Sequence, residues 1–187
     1  MRLFLAIELD TAVKKSIELI QKKLKETGAD VGWVKPQNIH LTLKFLGETG
    51  VEKIDPIKKT MEACAQVFSA FILTIHGAGY FPEHGQMRIV WLSLEEGKNE
   101  STRIAQELEN KMAEIGFKKE DREFSAHITI GRVRSEGNLF ALKKKLKSFQ
   151  DFKIPIAQTV THITLFKSTL TPQGPAYEAL ETFSLKP

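Results

Sequence analysis

A single cysteine, Cys64, stands in this chain of 187 residues, which excludes an internal disulfide and a disulfide-stapled secreted scaffold with it. Cys64 falls on the apolar side of a helical pattern and reads as a buried structural thiol rather than a nucleophile. No apolar run approaches the roughly eighteen residues of a membrane span. The opening run, Leu3 to Ile7, is also too short for a signal-peptide core and stops at Glu8 and Asp10. A cytoplasmic protein is the expectation. No glycine-rich loop leads into Lys-Ser/Thr, so nucleoside triphosphate chemistry has no phosphate cradle. No serine occupies a nucleophile elbow. Linkers and low-complexity stretches are missing too, and residues 1–187 read as a single bilobal domain. The hydrophobic share of 42% and charged share of 27% are ordinary for a globular chain. A net charge of +4 suits a polyanionic substrate without the strongly basic signature of a dedicated nucleic-acid binder.

What is present is a repeated short pattern. In Asn38-Ile39-His40-Leu41-Thr42-Leu43-Lys44-Phe45-Leu46-Gly47, apolar and polar residues alternate, as in a strand with one face buried. His40 and Thr42 then share the polar face. The pattern returns at Ser125-Ala126-His127-Ile128-Thr129-Ile130-Gly131-Arg132, and in barer form at Thr161-His162-Ile163-Thr164-Leu165. Threonine suits strands in any case, but chance placement of five histidines gives about 0.4 such pairs on ordinary composition, and the chain has three.

Around these motifs the spacing predicts a strand over 2–9 and a helix through Val13, Ile17, Ile20 and Leu24, closed by Gly28. A short strand over 31–35 precedes the His40 strand. A second helix carries Ile57, Met61, Cys64 and Phe68. Strands follow over 71–75 and 87–94, separated by a loop from Gly77 to Gly85. A third helix runs through Ile104, Leu108, Met112 and Ile115, and a basic fourth through Leu139, Leu142, Leu146 and Phe149. Two last strands, 156–167 and 177–185, flank a turn over 171–175. Hairpin-linked strands mixed with helices argue for an antiparallel α+β fold. The repeated order of elements suggests two similar lobes.

With the polar faces of the His40 and His127 strands set across a cleft, two imidazoles face each other, each beside a hydroxyl. An imidazole titrates near about 6.5, so one ring can be neutral while the other is protonated. Such a pair can deprotonate a nucleophile on one side of a phosphorus and protonate a leaving group on the other, with Thr42 and Thr129 on the non-bridging oxygens. Metal catalysis fits less well, because the neighbours are threonine and aliphatic residues rather than carboxylates or thiols.

On these residues the chain resembles the RNA 2′,3′-cyclic phosphodiesterases, or 2′-5′ RNA ligase-like proteins, of the two-histidine phosphoesterase superfamily. The matching segments are RLFLAIEL, WVKPQNIHLTLKFLG and SAHITIGR, then MRIVWLSL and LFKSTLTPQGPAYEAL, in the family's order over essentially the whole chain. The resemblance implies a bilobal α+β fold: two mainly antiparallel sheets flank a central cleft in pseudo-two-fold fashion, with helices outside. It implies metal- and cofactor-free opening of 2′,3′-cyclic phosphates to 2′-phosphates, and ATP-independent 2′-5′ RNA ligation. It makes His40 and His127 the catalytic pair and Thr42, Thr129 and Arg132 the substrate-binding residues. His40 would protonate the leaving 3′ oxygen and His127 would act on water. Strict alternation aims Arg132 at the apolar side, so its role needs a bulge or strand end after Gly131.

The expected partners are RNA ends or nucleoside 2′,3′-cyclic phosphates, with no membrane and a monomeric protein. Trp33, Tyr80 and Phe81 are candidates to stack on a base, with core packing the commoner use of Trp33 and Phe81. Arg88 and Lys44 are candidates to draw in a polyanion. The run Lys143, Lys144, Lys145 and Lys147 reads as the wet face of a helix, His162 as a structural or cleft-edge residue and His84 as exposed. A non-catalytic RNA-end binding module is the competing reading, and a phosphoesterase for another cyclic phosphate or a 2′-5′ oligonucleotide is a third.

Overall fold

The first strand shows how this sequence fills both faces of a sheet. In β1 (Arg2–Glu8) everything from Leu3 to Ile7 is buried. Leu3, Leu5 and Ile7 join the main core, while Phe4 and Ala6 face the other way into a small cluster with Phe166 and Tyr177. The computed structural model describes every residue except Gln173. After β1 come α1 (Thr11–Lys25), β2 (Val31–Trp33), a 3-10 turn (Pro36–Asn38), β3 (His40–Glu48) and α2 (Ile54–Ala65). Then follow β4 (Phe71–Leu73), β5 (Ile75–Phe81), β6 (Ile89–Leu94), α3 (Lys98–Glu114), β7 (His127–Val133) and α4 (Leu139–Lys147). The chain finishes with β8 (Gln158–Val160), β9 (His162–Thr171) and β10 (Gly174–Ser184).

In α1, Asp10 makes no side-chain cap bond. Tertiary burial of Val13, Ile17, Ile20 and Leu24, at roughly 2 kcal/mol each, outweighs the ~1 kcal/mol a cap would add. Gly28, at φ +66°, closes the helix as predicted.

Two four-stranded sheets carry the architecture, in the orders β10-β9-β1-β3 and β2-β7-β6-β5, with a small β4-β8 pair beside them. All their pairings are antiparallel, so the expected α+β class holds. The glycine- and aromatic-rich stretch expected as a loop is largely strand β5. Its glycines serve close packing, since a side chain at Gly79 would collide with the indole of Trp91 on the next strand. The expected strand over 156–167 is instead two, β8 and β9. The turn expected over 171–175 includes Gln173, which lies outside the described residues.

The two large sheets repeat one register. Across β1 and β3, Glu8 faces His40, Ala6 faces Thr42 and Phe4 faces Phe45, with Leu43 bulged out between the last two pairs. Across β6 and β7, Ser93 faces His127, Trp91 faces Thr129 and Ile89 faces Arg132, with Ile130 bulged out at the same offset. The first six residues of β3 and β7 also share one pattern of burial and exposure. This is the pseudo-two-fold relation, read residue by residue.

Candidate active site

The bulges decide which side chains reach the cleft. A bulge places two successive residues on one face, so Leu43 and Lys44 both turn inward, as do Ile130 and Gly131, and the next residue returns to the cleft side. Arg132 is therefore exposed on the face of His127 and Thr129. The bulge that the sequence reading required after Gly131 lies one residue before it. Gly131 itself has no room for a side chain, because an added Cβ would sit 2.6 Å from Val31 Cγ1.

His40 donates from Nδ1 to the Asn38 carbonyl at 2.7 Å, which leaves Nε2 to accept from the Thr42 hydroxyl at 2.9 Å. His127 donates from Nδ1 to the Ser125 carbonyl at 2.7 Å. Each ring is thus held through Nδ1 by the carbonyl two residues upstream, which turns Nε2 away from that bond. Both rings are packed by aromatics: Phe4 at 4.9 Å and Tyr177 edge-on at 5.3 Å for His40, and Phe81 edge-on at 5.2 Å for His127.

Burial pushes His40 from its usual 6.5 down to about 4; the bond to the Asn38 carbonyl opposes the shift, while the positive charges of Lys14 and Arg132 add to it. His127 is also held low by burial, opposed by its bond to Ser125 and reinforced by Arg132. The Arg132 charge therefore acts on both imidazoles. It acts on Tyr177 as well, countering the burial that raises the phenol. A guanidinium so placed is suited to an anion lying between the rings.

The other candidates separate. Lys44, offered as a cation for a polyanion, is not available: its ammonium is buried, 2.7 Å from Glu109 Oε2 and 3.1 Å from the Lys118 carbonyl. Trp33 and Tyr80 pack against the core, and Lys143 lies 5.4 Å over the Tyr80 ring. Phe81 alone of the three stacking candidates lines the cleft, where it also meets Trp91 at 5.0 Å. Arg88 and His84 are exposed, and Cys64 is buried with its thiol pushed up to about 12 by burial. His162 shares the face of Thr164, which stands opposite Ala6, so it lies on the cleft side of its sheet. β1 separates it from β3, and two strand spacings are about 10 Å, beyond hydrogen-bond reach of His40. Sequence reasoning missed Phe4, Phe166, Tyr177, Trp91, Glu8 and Lys14. The one available signal was the LFLAI run, too apolar on both faces for a strand with a solvated side.

The sequence profile described as the 2′-5′ RNA ligase superfamily matches residues 10–171. The chain is 34% identical over 184 residues to the RNA 2′,3′-cyclic phosphodiesterase of Methanothermobacter thermautotrophicus, covering 98% of each chain. It is 37% identical over 180 residues to the RNA 2′,3′-cyclic phosphodiesterase of Thermotoga maritima, covering 96% of this chain and 93% of that one. Its structure resembles that of the Thermus thermophilus protein TT0787 with a TM-score of 0.85 at 28% identity, over 100% of this chain and 98% of the other. The chain belongs to the 2′-5′ RNA ligase superfamily.

Proposed function

We propose that this protein is an RNA 2′,3′-cyclic phosphodiesterase in which His40 and His127 are the acid–base pair. The observation that carries this is the pair of pseudo-equivalent imidazoles, each fixed through Nδ1 and each within the field of Arg132. The family relationship and the names of the relatives support the same reading. In the reaction, His127 Nε2 takes a proton from water as the water oxygen bonds to phosphorus. The bond from phosphorus to the 3′ oxygen breaks, and protonated His40 gives its proton to that oxygen, leaving a 2′-phosphate. Thr42, Thr129 and Arg132 bind the non-bridging oxygens, where charge builds up. The anion supplies His40 with the proton affinity that burial removes. A 5′-hydroxyl in place of water on the same phosphorus gives a 2′-5′ linkage without a nucleotide cofactor. A monomer built as a single bilobal unit over 1–187 is part of the same proposal.

Incubation with nucleoside 2′,3′-cyclic phosphates in excess EDTA tests this. The expected product is the 2′-phosphate, formed at an undiminished rate. A 3′-phosphate, or activity that requires an added divalent ion, would sink the mechanism.

A further inference from the structure

The positive charge of this chain is not spread evenly. Helices α1 and α4 hold nine lysines against one glutamate, a net +8 in a chain of net +4, so all other residues together carry −4. The two helices meet near their ends. The Asn138 amide at the start of α4 donates to the Gly28 carbonyl just past α1 at 3.1 Å, and Lys145 pairs with Glu26 at 3.6 Å. Lys22 and Lys25 on α1, and Lys144 and Lys147 on α4, are exposed and have no acidic partner among the described residues. We propose that this face docks the phosphate backbone of an RNA chain whose cyclic end lies between the imidazoles. The substrate is then a polymer held at two places rather than a free nucleotide, an inference that rests on the functional reading given above.

Three observations carry it. First, the helix dipole rewards lysines in a last turn, which accounts for each helix alone. It does not account for setting two basic helices side by side with only Glu26 bridging them, where their charges repel. A polyanion relieves that repulsion. Second, the face is joined to the cleft. Arg134 follows Arg132 by two residues at the end of β7, and both are exposed. The Arg134 amide donates to the Asp30 carbonyl at 2.9 Å, so the strand of His127 ends beside the end of α1. Third, that link is itself basic. An added Cβ at Gly32 would sit 3.0 Å from Arg134 Nε, so the arginine lies across bare backbone of β2, and Arg132 faces the same glycine in register. From His127 to Arg134 the strand runs roughly 20 Å at about 3.3 Å per residue, the axial length of about six nucleotides at 3.4 Å each. Phosphates farther than that from the cyclic end reach the lysines.

The test compares a tetranucleotide and a dodecanucleotide of uridine, each ending in a 2′,3′-cyclic phosphate. The wild type should turn over the dodecanucleotide with a KM lower by roughly tenfold or more. The combined variant Lys22→Ala, Lys25→Ala, Lys144→Ala and Lys147→Ala should bring the two KM values together. It should also flatten the slope of log KM against log salt for the dodecanucleotide by about 2–3, at about 0.7 per phosphate contact on a single strand. Its kcat and its KM for the tetranucleotide should not change. Arginine at the same four positions should keep the wild-type ratio. Equal wild-type KM values, or a ratio that the folded alanine variant leaves unchanged, would overturn the surface. If the wild type turns over neither RNA, the functional reading fails, and binding decides the surface separately. A fluorescent dodecanucleotide should then bind the alanine variant at least roughly tenfold more weakly than the wild type. Equal binding overturns the surface, and wild-type binding to phosphatidylserine vesicles without binding to RNA assigns the face to a membrane instead.

Discussion

The His40 and His127 halves of the cleft begin from the same strand plan and end in different environments. In both, a bulge three residues after the histidine returns the fifth residue to the cleft. On β3 that residue is Phe45, packed 6.2 Å from Phe4; on β7 it is Arg132. The strand neighbour facing the threonine is Ala6 in one half and Trp91 in the other. His40 is enclosed by Phe4, Phe166 and Tyr177, and Thr42 occupies its Nε2. Among the described residues, Phe81 is the one aromatic ring against His127, and its Nε2 has no hydrogen-bond partner. One half is walled by aromatic rings and the other is more open, which suits the proposed division between leaving group and water. A symmetric backbone thus acquires a direction through about four side chains.

The largest effect that bears on this comparison is removal of either imidazole. His40→Ala and His127→Ala should each lower turnover by roughly 10²–10⁴-fold, the usual worth of a positioned acid or base. A substrate with a much better 3′ leaving group should rescue His40→Ala, which lacks the acid, and leave His127→Ala impaired. The opposite rescue would reverse the direction of the cleft.

Next in size is the inward residue after the bulge, Lys44 in one half and Gly131 in the other. Lys44→Met leaves Glu109 facing an apolar side chain and should cost about 3 kcal/mol in chemical denaturation, since breaking one partner of a buried pair is the expensive change. A loss below about 1 kcal/mol would mean that water replaces the ammonium.

The two rings should also titrate differently. His40 titrates at about 4 when folded against 6.5 ordinarily, so the unfolded chain binds this proton more tightly. Its contribution to stability is complete above about 6.5 and is lost as pH falls through that point toward 4. Ring NMR should show His40 titrating well below 6.5, near 4. Because both imidazoles are held low, kcat/KM against pH should form a bell centred on the acid side of 6.5. A His40 midpoint near 6.5 would remove the asymmetry. The smallest change belongs to the third motif: His162→Ala should keep both limbs of the bell and most of the rate, and a collapse like that of His127→Ala would show that the catalytic pair was chosen wrongly.

The strands that carry the site were legible because a period of two survives in Ile39-His40-Leu41-Thr42 and Ala126-His127-Ile128-Thr129. The helices were legible for the corresponding reason at a longer period. The bulges at Leu43 and Ile130 were not, since a bulged pair of inward residues looks in sequence like ordinary alternation with one mistake. That is why Lys44 read as a cation open to a polyanion and Arg132 as aimed at the apolar side. The pocket beside His40 was out of reach for another reason. Glu8, Lys14, Gln37, Phe166 and Tyr177 come from five separate stretches, and only the packing of α1, the 3-10 turn and the β10-β9-β1-β3 sheet brings them together.

The Lys44 ammonium also bears on the order in which the molecule assembles. It bonds to α3 through Glu109 and to the Lys118 carbonyl, and Glu109 holds the Glu120 amide at 2.7 Å through its other oxygen. These contacts span 65 and 74 residues, and together they pin the segment that leads into β7 to the strand of His40. Closing such loops is slow relative to local structure. On this ground the second imidazole is expected to be placed only after β3 and α3 have met. In hydrogen exchange during refolding, the Glu120 amide should gain protection in step with β3 rather than ahead of it.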